Sequence, residues 1–448
     1  MISLTAFRPW KHNTAHPNNP LSRTTMRLTK LLLTYHPPGI TVEYEQGQRK
    51  HTKSVDLSGV FESPDPETYA QTLTATDPVL SHINHAKFVK VINRLQAANA
   101  PPTSEQPGPE YKMHKKLRAH VMPLTNCAFN KSGSRVITGS YDRLCKVWNT
   151  ATGTELLTLD GHKNVVYAVA FNNPFGDKIA TGSFDRTAKL WSTETGKCHH
   201  TFKGHTGEIV GLAFNPYSTV LATGSMDSTS MLWDVRTGSD VCRFKGHSAE
   251  VITLSFSPDG RYMLTGSFDS TLNIWDVSTR RNLHTLIGHR SEISAAVFNT
   301  RSTHVLSGSM DATAKVWSVA SGECLVTLRG HTDEVLDVAY SISGTRVATA
   351  SADGTTRVYG TETWECLWTL VGHGSEVSKV AFNPSASLIL TGSRDKTARV
   401  WDVKDGKCLQ ILEGHTDEIF SAAFNYEGDL ILTGSKDNTC HLWKAEQS

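Results

Sequence analysis

Three polar side chains that could do hydrolytic chemistry together recur along this chain: a histidine, a serine or threonine, and an aspartate. In the last copy they are His415, Thr433 and Asp437, and Trp443 follows them. Such a set suits nucleophilic catalysis, in which the imidazole takes the hydroxyl proton and the carboxylate orients the imidazole. The set, however, occurs eight times, whereas an enzyme needs one nucleophile. Repetition favours a structural tetrad in which each buried polar group hydrogen-bonds the next, with no catalytic role.

The copies have a constant period. The histidine recurs every 42 or 43 residues, at His120, His162, His205, His247, His289, His331, His373 and His415. The aspartate follows at Asp142, Asp185, Asp227, Asp269, Asp311, Asp353, Asp395 and Asp437. A period of roughly 40–45 residues, with Gly-His early and Trp-Asp late, is typical of four-stranded propeller blades. We therefore expect an all-β, eight-bladed WD-repeat β-propeller with a small N-terminal α+β domain.

The ends of the repeat region predict how the ring closes. Too few residues follow Trp443 to form a fourth strand in the last blade. The segment Met113 to Leu117 is strand-like and precedes the first repeat. Pairing this segment with the last three strands would complete blade eight and remove exposed sheet edges.

Four regions are expected along the chain. Residues 1–25 are a disordered tail, residues 26–100 a small α+β domain, residues 101–112 a proline-containing linker, and residues 113–448 the propeller. In the small domain, strands are expected over Leu28 to Tyr35, Ile40 to Tyr44 and Lys53 to Leu57, and helices begin after Asp65 and Asp77. One helical face is expected to pack on these strands or on the propeller. Its residues are Leu80, Ile83, Phe88, Val91, Ile92 and Leu95.

Composition excludes several classes of function. The formal net charge is +2, with 45 basic and 43 acidic residues, so bulk attraction to nucleic acid is not expected. No apolar run is long enough for a membrane span, and no secretory signal is visible. The first 42 residues hold five Lys or Arg and no acidic residue, which loosely resembles an organelle transit peptide. The alternatives are a plain tail or translation from Met26.

The eight cysteines predict neither disulfides nor a metal site. No Cys-x-x-Cys pair and no zinc-like spacing of cysteine and histidine occurs. Cys324, Cys366 and Cys408 are 42 residues apart, which puts them at the same place in three successive blades. We expect free thiols packed as small apolar groups in a reducing compartment, and no cofactor.

The residue before each aspartate should point onto one face of the ring, because it lies in the turn between the second and third strands. We call this set the rim residues: Tyr141, Phe184, Met226, Phe268, Met310, Ala352, Arg394 and Lys436. Five blades in succession offer large apolar groups and the last two offer positive charge. An exposed apolar arc indicates partner binding. The alternative is that each side chain folds against its own turn.

Six glutamates should line the channel mouth on the same face. We call them the glutamate ring: Glu208, Glu250, Glu292, Glu334, Glu376 and Glu418. They would attract a basic peptide, although glutamate is also common at this position in propellers of this kind. A further match, Trp233 to Arg236, fits the WDxR pattern of ubiquitin-ligase substrate receptors, but it differs by one residue from the ordinary repeat at Trp401 to Lys404.

Longer stretches resemble one particular family. The stretches are Leu31 to Tyr44 (LLLTYHPPGITVEY), His120 to Asp142, Gly161 to Asp185 and Gly414 to Trp443. Together they resemble the dynein assembly factors with WD repeats, the outer row dynein assembly adaptors of motile cilia and flagella. The resemblance covers residues 26 to 448.

The resemblance implies a non-enzymatic cargo adaptor. Its partners would be the outer dynein arm complex and a subunit of the intraflagellar transport machinery. It implies a protein of the cytoplasm and the cilium or flagellum, including the basal body region, and we expect a monomer. Two alternatives stay open: a substrate receptor of a cullin-type ubiquitin ligase, and a general assembly scaffold.

Overall fold

The computed structural model describes residues 26–35, 38–46, 49–57, 65–77, 79–80, 83, 85, 88–92 and 109–446. The chain divides into two compact units, Met1–Ser104 and Glu105–Ser448. The expected tail (1–25), most of the expected linker (101–108) and Leu95 lie outside the described residues. Within the described residues, no helix is long and apolar enough to cross a membrane.

The first unit holds an antiparallel sheet and a helix. The sheet has the order β1 (Met26–Tyr35), β2 (Pro38–Gln46) and β3 (Arg49–Asp56). Helix α1 (Pro66–Thr76) begins after Asp65, whose carboxylate accepts the backbone N–H of Glu67 and Thr68 at 3.2 and 3.1 Å. This cap satisfies N–H groups that have no partner inside the helix. The three strands and this helix start are therefore confirmed.

The core of the first unit joins its strands to the segments that follow α1. It is formed by Ile40, Val42, Leu57, Ala70, Val79, Leu80, Ile83, Phe88, Val91 and Ile92. Five of the six residues expected on one helical face are in this cluster, so that face packs on the strands of its own unit. Asp77 is the C-cap of α1 and also accepts the backbone N–H of Val79 at 2.9 Å. The second helix start stays a prediction.

The second unit is a ring of eight four-stranded antiparallel sheets. It begins with β4 (Glu110–Arg118). Blades one to four are β5 (Leu124–Phe129), β6 (Arg135–Ser140), β7 (Cys145–Asn149), β8 (Glu155–Leu159), β9 (Val166–Phe171), β10 (Lys178–Ser183), β11 (Thr187–Ser192), β12 (Cys198–Lys203), β13 (Ile209–Phe214), β14 (Val220–Ser225), β15 (Thr229–Asp234), β16 (Asp240–Lys245), β17 (Val251–Phe256), β18 (Tyr262–Ser267), β19 (Leu272–Asp276) and β20 (Arg281–Leu286).

Blades five to eight continue the same order. Their strands are β21 (Ile293–Phe298), β22 (His304–Ser309), β23 (Ala314–Ser318), β24 (Cys324–Leu328), β25 (Val335–Tyr340), β26 (Arg346–Ser351), β27 (Thr356–Gly360), β28 (Cys366–Leu370), β29 (Val377–Phe382), β30 (Leu388–Ser393), β31 (Ala398–Asp402), β32 (Cys408–Leu412), β33 (Ile419–Phe424), β34 (Leu430–Ser435) and β35 (Thr439–Glu446). The eight-bladed propeller is confirmed.

Blade eight is completed by β4, as expected. Strand β4 pairs antiparallel with β35, so that Leu117 lies opposite Cys440 and Tyr111 opposite Ala445. The strand starts at Glu110, ahead of the expected start at Met113. The additional residues include Tyr111, which is buried and whose hydroxyl donates to the carbonyl of Gly428 at 2.7 Å.

Apolar side chains fill the spaces between neighbouring blades. Each of the eight propeller clusters draws on two adjacent blades, and the cluster that joins blades eight and one contains Leu117, Leu124, Trp148, Leu432 and Leu442. A blade therefore buries both faces only when it has two neighbours. The first strand of each blade packs against the first strands of its neighbours and lines the axis of the ring.

The cysteines partly depart from expectation. All eight are free thiols, and Cys127, Cys145 and Cys440 are buried. Cys324, Cys366 and Cys408 do occupy equivalent places, at the first residue of β24, β28 and β32. These three are exposed rather than packed, because the fourth strand of a blade is its outer edge. The expectation that every thiol is packed as a small apolar group was wrong for them.

We predict that ring closure depends on the buried face of β4. Leu117→Ala should lower the free energy of unfolding by about 2–5 kcal/mol, because it empties part of the core between blades eight and one. Lys116→Ala is the matched control on the exposed face of the same strand and should change it by less than about 0.5 kcal/mol. Denaturant unfolding measures both. Equal effects from the two variants would mean that β4 does not hold the ring closed.

Candidate functional site

The repeated polar residues form one hydrogen-bonded network per blade. In all eight blades histidine Nδ1 lies 2.8–2.9 Å from an aspartate oxygen, and Nε2 lies 2.7–2.9 Å from the serine or threonine hydroxyl. In seven blades a tryptophan Nε1 donates to the same hydroxyl at 2.8–3.0 Å. The structure thus brings His415, Thr433, Asp437 and Trp443 together.

These networks are closed to substrates. The histidine side chains of the tetrads are at most 3% exposed, and their hydroxyl partners are buried. Each hydroxyl is already engaged by an imidazole, and in seven blades also by an indole, so none is free to attack. A satisfied, buried network holds the turns in place, and we interpret it as structural.

Hydrogen bonds lower the pKa of the tetrad aspartates in blades two to eight and hold them ionised. Burial alone would raise the pKa of Asp311, but bonds from the Thr313 hydroxyl, the Arg290 backbone N–H and His289 outweigh it and lower the pKa to about 2, from an ordinary 3.8. Because the folded-state pKa is the lower one, this carboxylate stabilises the fold above about pH 4. That stabilisation is lost as the pH falls toward 2. Burial lowers the pKa of His289, so its imidazole is neutral at pH 7.

Blade six has an incomplete network. Tyr359 replaces the tryptophan, and its hydroxyl donates to the carbonyl of Arg329 at 3.4 Å. Three buried polar atoms of this blade have no hydrogen-bond partner: Tyr340 Oη, Thr356 Oγ1 and Arg357 Nε. Because unpartnered buried polar atoms cost stability, we interpret blade six as the least well satisfied part of the described ring.

Blade eight contains a second histidine beside its tetrad. Within the described residues, His415, Asp437 and His441 bring their donor atoms within 4.8 Å of one another. The two imidazole rings are stacked, with centroids 3.7 Å apart and planes 8° apart. Lone pairs in parallel ring planes do not converge on one ion, and both nitrogens of His415 are already bonded. Burial lowers the pKa of His441 to about 3, so a neutral ring stacks here, and the arrangement does not fit a metal site.

The rim residues and the glutamate ring lie side by side on one face. In every blade the backbone N–H of the rim residue donates to the carbonyl of the third residue after the tetrad histidine, at 2.8–3.1 Å. In blades three to eight that acceptor is a member of the glutamate ring. In blades one and two it is Pro123 and Val165. The turns of the ring are therefore alike in backbone and differ in the charge that they present.

The apolar rim residues are exposed to different degrees. Tyr141, Met226 and Phe268 are 42%, 40% and 37% exposed. Phe184 and Met310 are half-buried, and the ring of Phe184 stacks on Tyr167 with centroids 5.3 Å apart. Three of the five therefore present apolar surface to solvent, whereas Phe184 packs partly against its own blade.

The two cationic rim residues do not present free charge, contrary to expectation. Arg394 donates to a carboxylate oxygen of Glu376 at 2.6 Å and to Glu418 at 2.9 Å, and Lys436 also pairs with Glu418. These partners hold the pKa of the Arg394 guanidinium above its usual value. The reason is the blade spacing, which puts Arg394 of blade seven next to the glutamate of blade eight. Two members of the glutamate ring are thereby neutralised.

Further exposed residues extend the apolar surface at blades one and two. Val121 and Met122 follow the first tetrad histidine and are 84% and 46% exposed, and Tyr167 is 39% exposed. Sequence reasoning missed them because they do not recur. The signal that could have found them is the loss of glutamate at Pro123 and Val165, which breaks an otherwise regular pattern.

A cavity of about 730 Å³ lies on the axis of the ring and is lined by residues of the first strands. Tyr141, Tyr167 and Phe420 contribute aromatic rings to its lining. Lys379 pairs with buried Asp337 at 3.1 Å inside it, and Asp337 also accepts the backbone N–H of Val380. Because Tyr141 is both a rim residue and a lining residue, the cavity opens on the face that carries the rim. We call this opening the channel mouth.

The WDxR match has an ordinary structural role. Asp234 accepts the backbone N–H of Arg236 and Thr237 at 2.9 and 2.7 Å, which closes the turn between β15 and β16. Asp402 makes the equivalent bond to Lys404 at 2.6 Å in a repeat without the arginine. The motif therefore forms the common turn of these blades.

Two family descriptions match the propeller. Residues 123–313 match the family described as IFT122 first beta-propeller. Residues 322–360, 364–402 and 406–444 match WD domain, G-beta repeat. The chain therefore carries WD repeats in its propeller. Among solved structures, this WD-repeat protein is similar to the computationally designed Ika8 protein, with 32% identity and a TM-score of 0.68, over 74% of this chain and 99% of that one.

Curated relatives confirm the resemblance drawn from the sequence. This WD-repeat protein is 55% identical over 196 residues to Dynein assembly factor with WD repeat domains 1 of Mus musculus, which covers 44% of this chain and 46% of the relative. The protein of the same name from Homo sapiens is 54% identical over 196 residues, with the same coverage. The chain spans about half the length of the curated relatives that it matches.

We predict that a tetrad aspartate acts through stability alone. Asp269→Ala removes the acceptor for His247, for the backbone N–H of Ser248 and for Thr271, and should cost about 1–3 kcal/mol of unfolding free energy. Asp240→Ala, on the exposed outer strand of the preceding blade, is the control and should cost less than about 0.5 kcal/mol. Thermal and denaturant unfolding compare the two. Lost partner binding at unchanged stability would make Asp269 a binding residue.

We predict that blade six gains stability from a tryptophan. Tyr359→Trp should bring an indole N–H to Thr349, as in the other seven blades, and raise the unfolding free energy by about 1 kcal/mol. Tyr359→Phe removes the hydroxyl, whose bond to the Arg329 carbonyl is long at 3.4 Å, and should stay within about 0.5 kcal/mol of the parent. Denaturant unfolding separates them. A less stable tryptophan variant would show that blade six is packed for the smaller ring.

Proposed function

We propose that this WD-repeat protein is a non-enzymatic adaptor for the assembly of axonemal outer dynein arms. It would link outer dynein arm complexes to the intraflagellar transport machinery for import into the cilium. The observation that carries the dynein part is the 55% identity, over 196 residues, to a curated relative named as a dynein assembly factor. The IFT122-like propeller match over residues 123–313 supports the transport part.

The geometry supports binding rather than catalysis. The repeated triad-like residues are buried and mutually satisfied, whereas one face exposes Tyr141, Met226 and Phe268 around the channel mouth. Large exposed apolar side chains near the centre of a face are typical anchors of protein interfaces. We therefore propose the rim residues and the glutamate ring as the partner-binding face, and place the protein in the cytoplasm and the cilium or flagellum.

The experiment separates import from assembly in the cytoplasm. In ciliated cells that lack this protein, outer arm dynein complexes should still form in the cytoplasm but be depleted from the axoneme. Sedimentation of cytoplasmic extract and quantitative mass spectrometry of isolated axonemes measure the two pools. Absence of the complexes from the cytoplasm itself would contradict an adaptor role. A cullin adaptor co-purifying in place of transport subunits would favour the ubiquitin-ligase alternative.

We predict that the rim carries the partner contact. Tyr141→Ala with Phe268→Ala should abolish restoration of axonemal dynein, because truncating such anchors commonly costs about 2 kcal/mol or more each, roughly thirtyfold in affinity. Phe175→Ala is the matched control. Phe175 is 60% exposed and lies in the turn between β9 and β10, at the opposite end of β10 from the rim. If the rim variant restores dynein as well as the control does, the rim assignment is wrong and residues 26–100 become the next candidate.

A further inference from the structure

The face around the channel mouth is divided into three chemically different sectors. Blades one and two expose Val121, Met122, Tyr141 and Tyr167 and have no glutamate at the ring position. Blades seven and eight carry a network in which Arg394 and Lys436 neutralise Glu376 and Glu418. Blades three to six keep their glutamates. This sector begins beside blade two, and its blades five and six lie across the channel from the first sector.

The carboxylates of the middle sector are available to a partner. Within the described propeller, residues 109–446, the side chains of Glu208, Glu250 and Glu334 take part in no ion pair and no hydrogen bond that the structure shows. Glu292 differs, because its carboxylate accepts the hydroxyl of Ser291. All four are half-buried, so an arriving cation would meet them in a partly desolvated setting, where attraction is stronger than in bulk water.

Two of these glutamates stand beside an exposed apolar rim residue. The backbone of Met226 bonds to the carbonyl of Glu208 at 2.9 Å, and the backbone of Phe268 bonds to that of Glu250 at 3.0 Å. Met226 and Phe268 are 40% and 37% exposed. A lysine or arginine needs both elements, an apolar surface for its methylene stem and a carboxylate for its head. The ring of Phe268 can also bind a cation on its face.

From this division we infer that the channel mouth binds an extended basic segment of a partner protein. The segment places one aromatic or large aliphatic side chain on blades one and two, and lysine or arginine side chains on the Met226–Glu208 and Phe268–Glu250 pairs. The neutralised sector of blades seven and eight contributes no net attraction. Charge complementarity selects a basic partner, and the apolar sector fixes its register. The inference deepens the proposed adaptor function and rests on it only for the identity of that partner.

The test uses the full chain and synthetic probes. The first probe is a fluorescein-labelled peptide with one phenylalanine and two arginines joined by Gly-Ser spacers. The second replaces the arginines by glutamates, and the third replaces the phenylalanine by serine. Fluorescence anisotropy should show salt-dependent binding of the first probe, about thirtyfold weaker binding of the third, and none of the second.

The matched protein variants remove the same charge from opposite faces. Glu208→Gln with Glu250→Gln should weaken the first probe about tenfold. Glu362→Gln with Glu365→Gln, both exposed in the turn between β27 and β28 on the other face, should leave binding unchanged. Equal loss in the two double variants would show attraction by net charge only and overturn the inference. Tighter binding of the glutamate probe, or no binding of any probe, would also overturn it.

The two proposals fail in distinguishable ways. Probe binding is measured on the isolated protein and does not involve dynein. If cells without the protein keep normal axonemal dynein while the arginine probe binds the mouth as expected, the adaptor function fails and the inferred site stands. If axonemal dynein depends on the protein while the arginine probe does not bind, the adaptor function stands and the inferred site is wrong.

Discussion

The propeller depends on one constraint: each blade can bury its two faces only against two neighbours. All eight hydrophobic clusters of the propeller lie between adjacent blades, so no single blade has a hydrophobic core by itself. The constraint makes closure obligatory, because an open ring would leave two apolar faces and a sheet edge in water. The pairing of β4 with β35 meets it by completing the last blade with a strand that precedes the first.

Regularity in this ring makes its exceptions informative. The histidine–aspartate–hydroxyl network and the backbone bond of the rim residue recur in all eight blades, so they hold the turns in place without making one turn different from another. The turns differ only in the side chains that break this pattern. Blades one and two carry Pro123 and Val165 where the other blades carry glutamate. In blades seven and eight the glutamate at this position belongs to an ion-pair network, in blade five it accepts the Ser291 hydroxyl, and in blades three, four and six its carboxylate has no side-chain partner among the described residues.

Features that repeat could be predicted from the sequence, whereas features that occur once could not. The repeat predicts that His415, Thr433, Asp437 and Trp443 are hydrogen-bonded to one another, because the same residue types recur at the same spacing in the other blades. The pairing of Arg394 with Glu418 was missed, since it depends on how closely two neighbouring turns approach and on which rotamer a long side chain takes. The exposure of Cys324 was missed for a similar reason, because its strand position says nothing about what covers the edge of the blade.

The two strands that close the ring are synthesised far apart in time. Tyr111 of β4 bonds to Gly428, which lies 317 residues later in the chain. At about 5–20 residues per second, β4 waits on the order of 15–60 s for its partner to be synthesised. During that interval blade after blade can stack, yet the ring has two open faces and a strand with unpaired backbone groups. We therefore expect newly made protein to be most prone to aggregation just before its last blade is complete.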